Sequence, residues 1–310
     1  MQNEVQNESQ YDDEIDLREL FGVLWAGKIK IIAITAVFAV ASVIYALSVP
    51  NQYKATALLA PAQSNDGGLS GALGQLGGLA SLAGVSLGGG ESGEAQIAQE
   101  IMKSWSYIEG FITDNNIAVE VYAAEGWSKG SNTLEIDNDA YDVVTNEWLV
   151  EDESGAIGAP SSWQLFESFS ERLSVSEDKK SGLVSLSIEY YSPQIAKQWV
   201  DMYIESINRF MQQRQIDKVT RNINYLQEQI EKTAIAEMQE VFYTIIEEQT
   251  KNKMLAEASP DYVFVAVGPS MVPELKSQPK RALICILGTL LGGMLSVLLV
   301  LIMHYAKKSD

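Results

Sequence analysis

Two long apolar runs without a charge constrain this chain more than any other feature. Residues 31–49 supply 19 such positions and residues 282–303 supply 22. At 1.5 Å of rise per residue, helices of that length reach about 28 and 33 Å, close to the roughly 30 Å hydrocarbon core of a bilayer. Core helices of soluble domains seldom run so far uncharged, so both runs read as transmembrane helices. The first ends in a small-x-small sequence, Ala46-Leu-Ser48, as a cleavable leader would. It is longer than the roughly 7–15 residues of a signal-peptide core and an acidic leader precedes it, so a retained span is expected.

The flanking cations orient the spans. Lys28 and Lys30 abut the first, and Lys307 and Lys308 follow the second. The positive-inside rule then places both ends in the cytoplasm, with Lys280 and Arg281 as the outward exception. The expected organisation is a cytoplasmic tail with an amphipathic helix (1–28), a first span (29–49), an exported domain (50–281), a second span (282–303) and a short tail (304–310). The exported part carries 33 Asp and Glu against 17 Lys and Arg within a net charge of −19. Such a surface repels nucleic acid and anionic headgroups, so no nucleic-acid partner is expected.

The same chain lacks the usual chemistry of an exported enzyme. Its single cysteine, Cys285, lies in the second run, so the exported part has no disulfide. Its single histidine, His304, lies at the cytoplasmic end of that run, which removes His-based acid–base catalysis and Cys/His metal sites from the exported part. Asp137-Asn-Asp139-Ala-Tyr-Asp142 resembles a calcium loop only faintly: Asp142 stands where the turn needs Gly, and the closing Glu is missing. No spacing singles out a glycosidase-like carboxylate pair, and no cofactor is expected.

Pattern along the chain predicts an α+β fold. Leu17, Leu20, Phe21, Leu24 and Trp25 recur at helical spacing after Asp16, a candidate cap, and suggest an interfacial helix. Residues 53–60 read as a strand. Residues 66–93 are a Gly/Ser/Leu/Ala stretch without the GxxxxGK[S/T] pattern of a phosphate-binding loop, and a mobile loop is expected. A helix follows over 94–114 with Ile97, Ile101, Trp105, Ile108 and Ile112 on one stripe. Residues 118–160 show no clear period. Ser162 is expected to cap a helix whose core face is Trp163, Phe166, Phe169 and Leu173. A strand over 183–190 places Val184, Leu186, Ile188 and Tyr190 on one face.

From Gln194 to Ser259 there is neither Gly nor Pro, after Ser192 as cap and Pro193 at the first helical position. A helix throughout would extend about 95 Å. A break into two antiparallel helices within 244–253 is the alternative. Ile216, Val219, Ile223, Leu226 and Ile230 form a seam with little core of its own to cover it, so it is expected to face another copy of the chain. A strand over 262–267 follows, and Pro269, Pro273 and Pro279 then keep the chain extended on its return to the membrane. Within the spans, Gly288, Gly292 and Gly293 on one side and Thr35, Ala39, Ser42 and Ala46 on the other offer small-residue stripes for helix packing.

Together these features resemble the Wzz-type polysaccharide chain-length determinants, or polysaccharide co-polymerases. The resemblance rests on Ile15-Asp-Leu-Arg-Glu-Leu20 and Trp25 ahead of the first span, the glycine-rich loop up to Gly90, Leu173-Ser-Val-Ser-Glu-Asp-Lys-Lys-Ser-Gly-Leu183, Ser192-Pro193-Gln-Ile-Ala196 with Trp199, and the three prolines running into the glycine-bearing span. It implies a membrane-proximal α/β base, a long protruding helix and assembly into rings. It also implies a non-enzymatic regulator of O-antigen or related glycan length, partnered by the membrane polymerase and the growing glycan in the bacterial inner membrane. With only Tyr305 near the end and no Walker motif, the kinase-free branch is expected. The competing reading is a capsule or exopolysaccharide export co-polymerase working with a separate tyrosine kinase and an outer-membrane channel. A sensor would need a cytoplasmic output domain.

The topology is testable directly. In a Cys285→Ala background, cysteine placed at Ser131 is expected to react with a membrane-impermeant maleimide in intact spheroplasts; labelling only after lysis would reverse the orientation.

Overall fold

A computed structural model describes residues 17–62, 91–151 and 155–309, with backbone alone for 17–20, 91–92 and 305–309. The expectations for residues 1–11, for Asp16 as a cap and for the glycine-rich stretch up to Gly90 fall outside the described residues. The chain divides into two compact units, Met1–Val49 with Gln278–Asp310, and Pro50–Ser277. Helices α1 (Leu17–Ala26) and α2 (Lys28–Ser48) belong to the first unit.

The second unit is built on a four-stranded antiparallel sheet. Strand β1 (Tyr53–Pro61) alternates buried Ala55, Ala57 and Leu59 with solvent-facing Lys54, Thr56 and Leu58. Helices α3 (Glu91–Lys103) and α4 (Trp105–Asp114) follow, separated at Ser104, whose side chain donates to Ile101 O and interrupts the single helix expected there. The interruption divides the expected stripe: Ile108 and Ile112 are buried, whereas Ile97 and Trp105 are exposed. The patternless stretch becomes a short helix α5 (Ala118–Tyr122) and three small hairpins. These are β2 (Ala124–Ser128) with β3 (Thr133–Ile136), β4 (Tyr141–Asp142) with β5 (Glu147–Trp148), and β6 (Val150–Glu151) with β7 (Ile157–Gly158). Asn132 and Asn146 take positive φ at the first two turns, a conformation that Asn tolerates.

Helix α6 (Ser162–Ser170) begins one residue earlier in its cap than expected. Ser161, not Ser162, accepts from Gln164 N at 3.2 Å while the Gln164 side chain accepts from Ser161 N, a reciprocal capping box. Trp163 faces outward, 55% exposed, while Phe169 is buried and Leu173 opens the next strand. Strands β8 (Leu173–Asp178) and β9 (Leu183–Tyr190) form a hairpin with Gly182 at φ +70° in its turn, a value that suits glycine. The β1–β9 register sets Ala55, Ala57 and Leu59 opposite Ile188, Leu186 and Val184 on the inner face. On the outer face it sets Lys54 opposite Glu189 and Thr56 opposite Ser187, whose hydroxyls bond at 3.1 Å.

Helix α7 (Pro193–Lys232) crosses that inner face, burying Ala196, Trp199, Val200, Tyr203 and Ile207. Ser192 caps it, accepting from Ile195 N, with Pro193 at its first position. Helix α8 (Ala236–Glu257) follows, and strand β10 (Phe264–Gly268) completes the sheet in the order β10-β1-β9-β8. The final helix α9 (Arg281–Ser309) returns to the first unit.

Aromatic rings fill the core where α4, α6 and α7 meet the sheet. Tyr203 lies 4.7 Å from Phe111 and 5.7 Å from Phe169 between ring centroids, and Trp199 lies 4.4 Å from Tyr190. Their buried hydroxyls are satisfied by carbonyls: Tyr203 Oη donates to Met102 O, and Tyr190 Oη donates to Glu120 O at 2.6 Å. Burial pushes both phenols well above their ordinary pKa, so both remain neutral donors.

One buried polar side chain fastens the edge strand to α7. Asn208 Nδ2 donates to Phe264 O at 2.8 Å, and its Oδ1 accepts from Val263 N and Phe264 N at 3.0 and 2.8 Å. Replacing it leaves buried backbone groups without partners, each worth about 1–3 kcal/mol. Asn208→Ala is therefore expected to lower stability by at least about 2 kcal/mol, read as a shift of the denaturation midpoint in detergent solution.

Candidate functional site

The two apolar helices pair along one face of each. Lys28–Ser48 and Arg281–His304 both meet the length and hydropathy of a membrane span. Half-buried Thr35, Ala39 and Ser42 and buried Ala46 form the inner stripe of α2; Gly288, Gly292, Ser296 and Val300 form that of α9. A Cβ on Gly288 would stand 2.5 Å from Ser42 Cβ, and one on Gly292 would collide with Phe38 Cβ, so hydrogen is all that fits. Gly293 differs: a Cβ there meets nothing within 4 Å, because it lies off the stripe. Phe38, which sequence spacing did not single out, supplies the wall against Gly292.

Polar groups inside this pair are matched. Thr35 Oγ1 and Ser296 Oγ lie 3.3 Å apart across the helices, Ser296 Oγ also donates to Gly293 O, and Ser42 Oγ donates to Ala39 O. At one end Arg281 Nε donates to Ala46 O at 2.9 Å. At the other, α1 carries Trp25 stacked on Phe21 at 6.2 Å, with Lys28 Nζ 4.6 Å from the Trp25 ring. An indole beside an ammonium suits the headgroup level, where one part of each side chain is wet.

In the second unit the long segment reverses at residues 233–235. Gln239 Nε2 donates to Ile230 O and Thr233 O, and Gln212 Nε2 donates to Ala256 O and Ser259 O. These two amides take up carbonyls orphaned at the ends of both helices, in place of a C-terminal glycine. The contacts pair residue 212 with 256–259 and residue 230 with 239, so α7 and α8 run antiparallel. One unbroken helix of about 95 Å is thereby corrected to a hairpin whose first arm is about 60 Å long, and the reversal precedes the 244–253 window.

The seam changes meaning with it. Val219 is buried and Ile216, Ile223, Leu226 and Ile230 are half-buried, at the heights where α8 presents half-buried Phe242, Ile245, Ile246 and Asn252. The chain's own α8 packs along the seam that spacing assigned to another copy, and leaves four of its five residues half-buried. The large apolar side chains exposed on the hairpin beyond Met211 are a different set: Tyr225, Ile235, Met238, Val241, Tyr243, Met254 and Leu255. At the tip Lys232 pairs with Glu228; the bond and charge hold the carboxyl below its usual range and the ammonium above its own.

Elsewhere the titratable groups serve the fold. Asp142 accepts from Val144 N and Thr145 N, which keeps its carboxyl below the usual range, and Asp137 accepts from Asp139 N at 2.8 Å. These are turn-forming carboxylates rather than a metal cage, and among the described residues no His/Cys/Asp/Glu group could hold a metal. A groove of about 620 Å³ beside α3, lined by Gln96, Ile97, Glu100, Ile101, Ser104 and Arg214, contains one carboxylate, and Glu100 is paired with Lys103 at 3.3 Å. Tyr262, near Glu94, is pushed up to about 12 by burial and by that carboxylate's charge.

Residues 13–114 match the family model of Wzz, the chain length determinant protein. That segment is Wzz-like. It takes in α1, the first span, β1, α3 and α4, about a third of the chain. No curated protein matches the sequence. Solved structures similar to the chain include a full-length bacterial polysaccharide co-polymerase, 15% identical with TM-score 0.40, over 96% of this chain and 99% of that one. They also include a fragment of WzzB, the polysaccharide co-polymerase of Salmonella Typhimurium, 12% identical with TM-score 0.29, over 74% of this chain and all of that one.

The two glycines on the stripe and the one beside it separate packing from composition. With Cys285→Ala, cysteines at Thr35 and Ser296 are expected to oxidise to a disulfide in membranes. Gly292→Leu should abolish that crosslink and Gly293→Leu should leave it intact; equal behaviour of the two variants would detach the glycines from span packing.

Proposed function

We propose that this protein regulates polysaccharide chain length without making or breaking a bond, as a two-span protein of the bacterial inner membrane. Both tails then lie in the cytoplasm and residues 50–281 in the periplasm. The observation that carries the reading is the Wzz match over residues 13–114, which joins the first span to the first strand and helices of the exported unit. The acidic exported domain with neither His nor Cys agrees with a scaffold rather than a catalyst.

In this reading several copies assemble, each tethered by two spans, and present a repeated surface to the membrane polymerase and the growing glycan. Contacts weak in one copy become effective through repetition, because the second and later ones are intramolecular. With α8 packed along the Ile216–Ile230 seam, the exposed side chains Tyr225, Ile235, Met238, Val241, Tyr243, Met254 and Leu255 join its half-buried residues as candidates on the hairpin. Chain length is then set by how long the glycan stays engaged before release.

Deleting the gene tests this against export. The expected result is polysaccharide still produced, with its modal length cluster replaced by a broad, mostly short distribution on a silver-stained gel. Complete loss of surface polymer would favour the capsule-export role with a separate kinase and outer-membrane channel, and an unchanged profile would remove both.

A further inference from the structure

The run between β10 and α9 is pinned at two points and presents apolar side chains outward between them. At one end Ser270, itself buried, donates from Oγ to Asp201 on α7. At the other, Ser277 donates from N and from Oγ to Gln52 O, at 2.8 and 3.1 Å, and Lys276 Nζ donates to Asn51 Oδ1 at 3.3 Å. Between the pins Met271 is 76% exposed, Leu275 is 85% exposed, and Val272 is also open. A single exposed leucine needs no explanation, but three large apolar side chains within five residues do. Pro269 and Pro273 restrict the backbone there, so ordering it on binding a partner loses little entropy.

Chain connectivity says what that partner is. Gln52 lies four residues after the end of α2, and Ser277 lies four residues before the start of α9. At no more than about 3.6 Å per residue, the Gln52–Ser277 clasp stands within about 15 Å of both span ends, and Leu275 within about 22 Å of one. The interfacial layer alone is about 6–8 Å deep on each side of the hydrocarbon. The loop itself carries exposed Glu274, and Lys276 and Lys280 flank it with two cations, whose stems can lie along apolar surface while their ammonium groups meet lipid phosphates.

We infer that the pinned loop Met271–Leu275 is a membrane-docking wedge, seating Met271, Val272 and Leu275 at the headgroup–acyl boundary of the bilayer that the spans cross. The inference rests on the two-span reading but not on chain-length control. It gives the exported domain a third attachment to the membrane besides its two tethers, and so limits how far its base can tilt away from the surface.

The test uses the full chain with Cys285→Ala, reconstituted in vesicles of phosphatidylethanolamine and phosphatidylglycerol. Single cysteines at Met271, Leu275, Leu287 and Ser131 carry a nitroxide, and collision with oxygen is compared with collision with a water-soluble nickel chelate. Labels at Met271 and Leu275 are expected to favour oxygen, at a depth of about 5–10 Å, between the span position Leu287 and the aqueous position Ser131. If they match Ser131 while Leu287 lies in hydrocarbon, the wedge is wrong and the spans stand. Protection from both reagents would mean that protein, such as a second copy, covers the loop, and this also overturns the proposal. A water-exposed Leu287 would overturn the two-span reading and the wedge together.

Discussion

Burial of one stripe of α7 against the sheet is the interaction on which the unit Pro50–Ser277 depends. Ala196, Trp199, Val200, Tyr203 and Ile207 cover the inner faces of β1 and β9, and α4 and α6 reach the core through rings that touch Tyr203 or Trp199. Each fully buried side chain of that size is worth about 1.5–3 kcal/mol, so this stripe outweighs the exposed ion pairs along the same helix, at about 0.3–0.5 kcal/mol each. The hydroxyls of Tyr203 and Tyr190, which come with these rings, are answered by carbonyls of α3 and α5. Asn208 extends the same logic one turn further, by hydrogen bonding where β10 needs backbone partners.

Beyond Met211 the helix leaves that core, and its stability has a different source. Helices in proteins owe most of their stability to tertiary packing, and an arm of this length needs a partner for its apolar seam. The hairpin provides one from within the chain. Gln212 and Gln239 act as end clamps, tying each arm to the carbonyl end of the other, so the reversal needs neither Gly nor Pro. The most regular apolar seam in the sequence is thus already in part engaged within the chain.

The spans obey another rule, because lipid is as apolar as leucine and gives no hydrophobic reason to pair. Close approach at Gly288 and Gly292, with the Thr35–Ser296 contact beyond them along the pair, supplies dispersion and a hydrogen bond instead. The same apolar character that is silent between helices in lipid is informative in the pinned loop, since Met271 and Leu275 stand outside any core.

Much of this was legible in the residues themselves. The two spans, the alternation in β1 and β9, the Ser192-Pro193 helix start and the small-residue stripes follow from local chemistry: length, period, caps and side-chain size are properties of contiguous sequence. The sequence alone also removed histidine and cysteine chemistry from the exported part. Contacts between distant residues decided the rest. Ser161 rather than Ser162 capped α6 because the Gln164 amide completes the box, and Trp163, on the expected core stripe, faces solvent. The reversal at 233–235 depended on Gln212 finding carbonyls 44 and 47 residues away, which no local period encodes. Hydrophobic spacing could say that Ile216–Ile230 needed a partner; only the tertiary structure could say that the partner was the same chain, because a seam specifies the chemistry of what covers it and not its source.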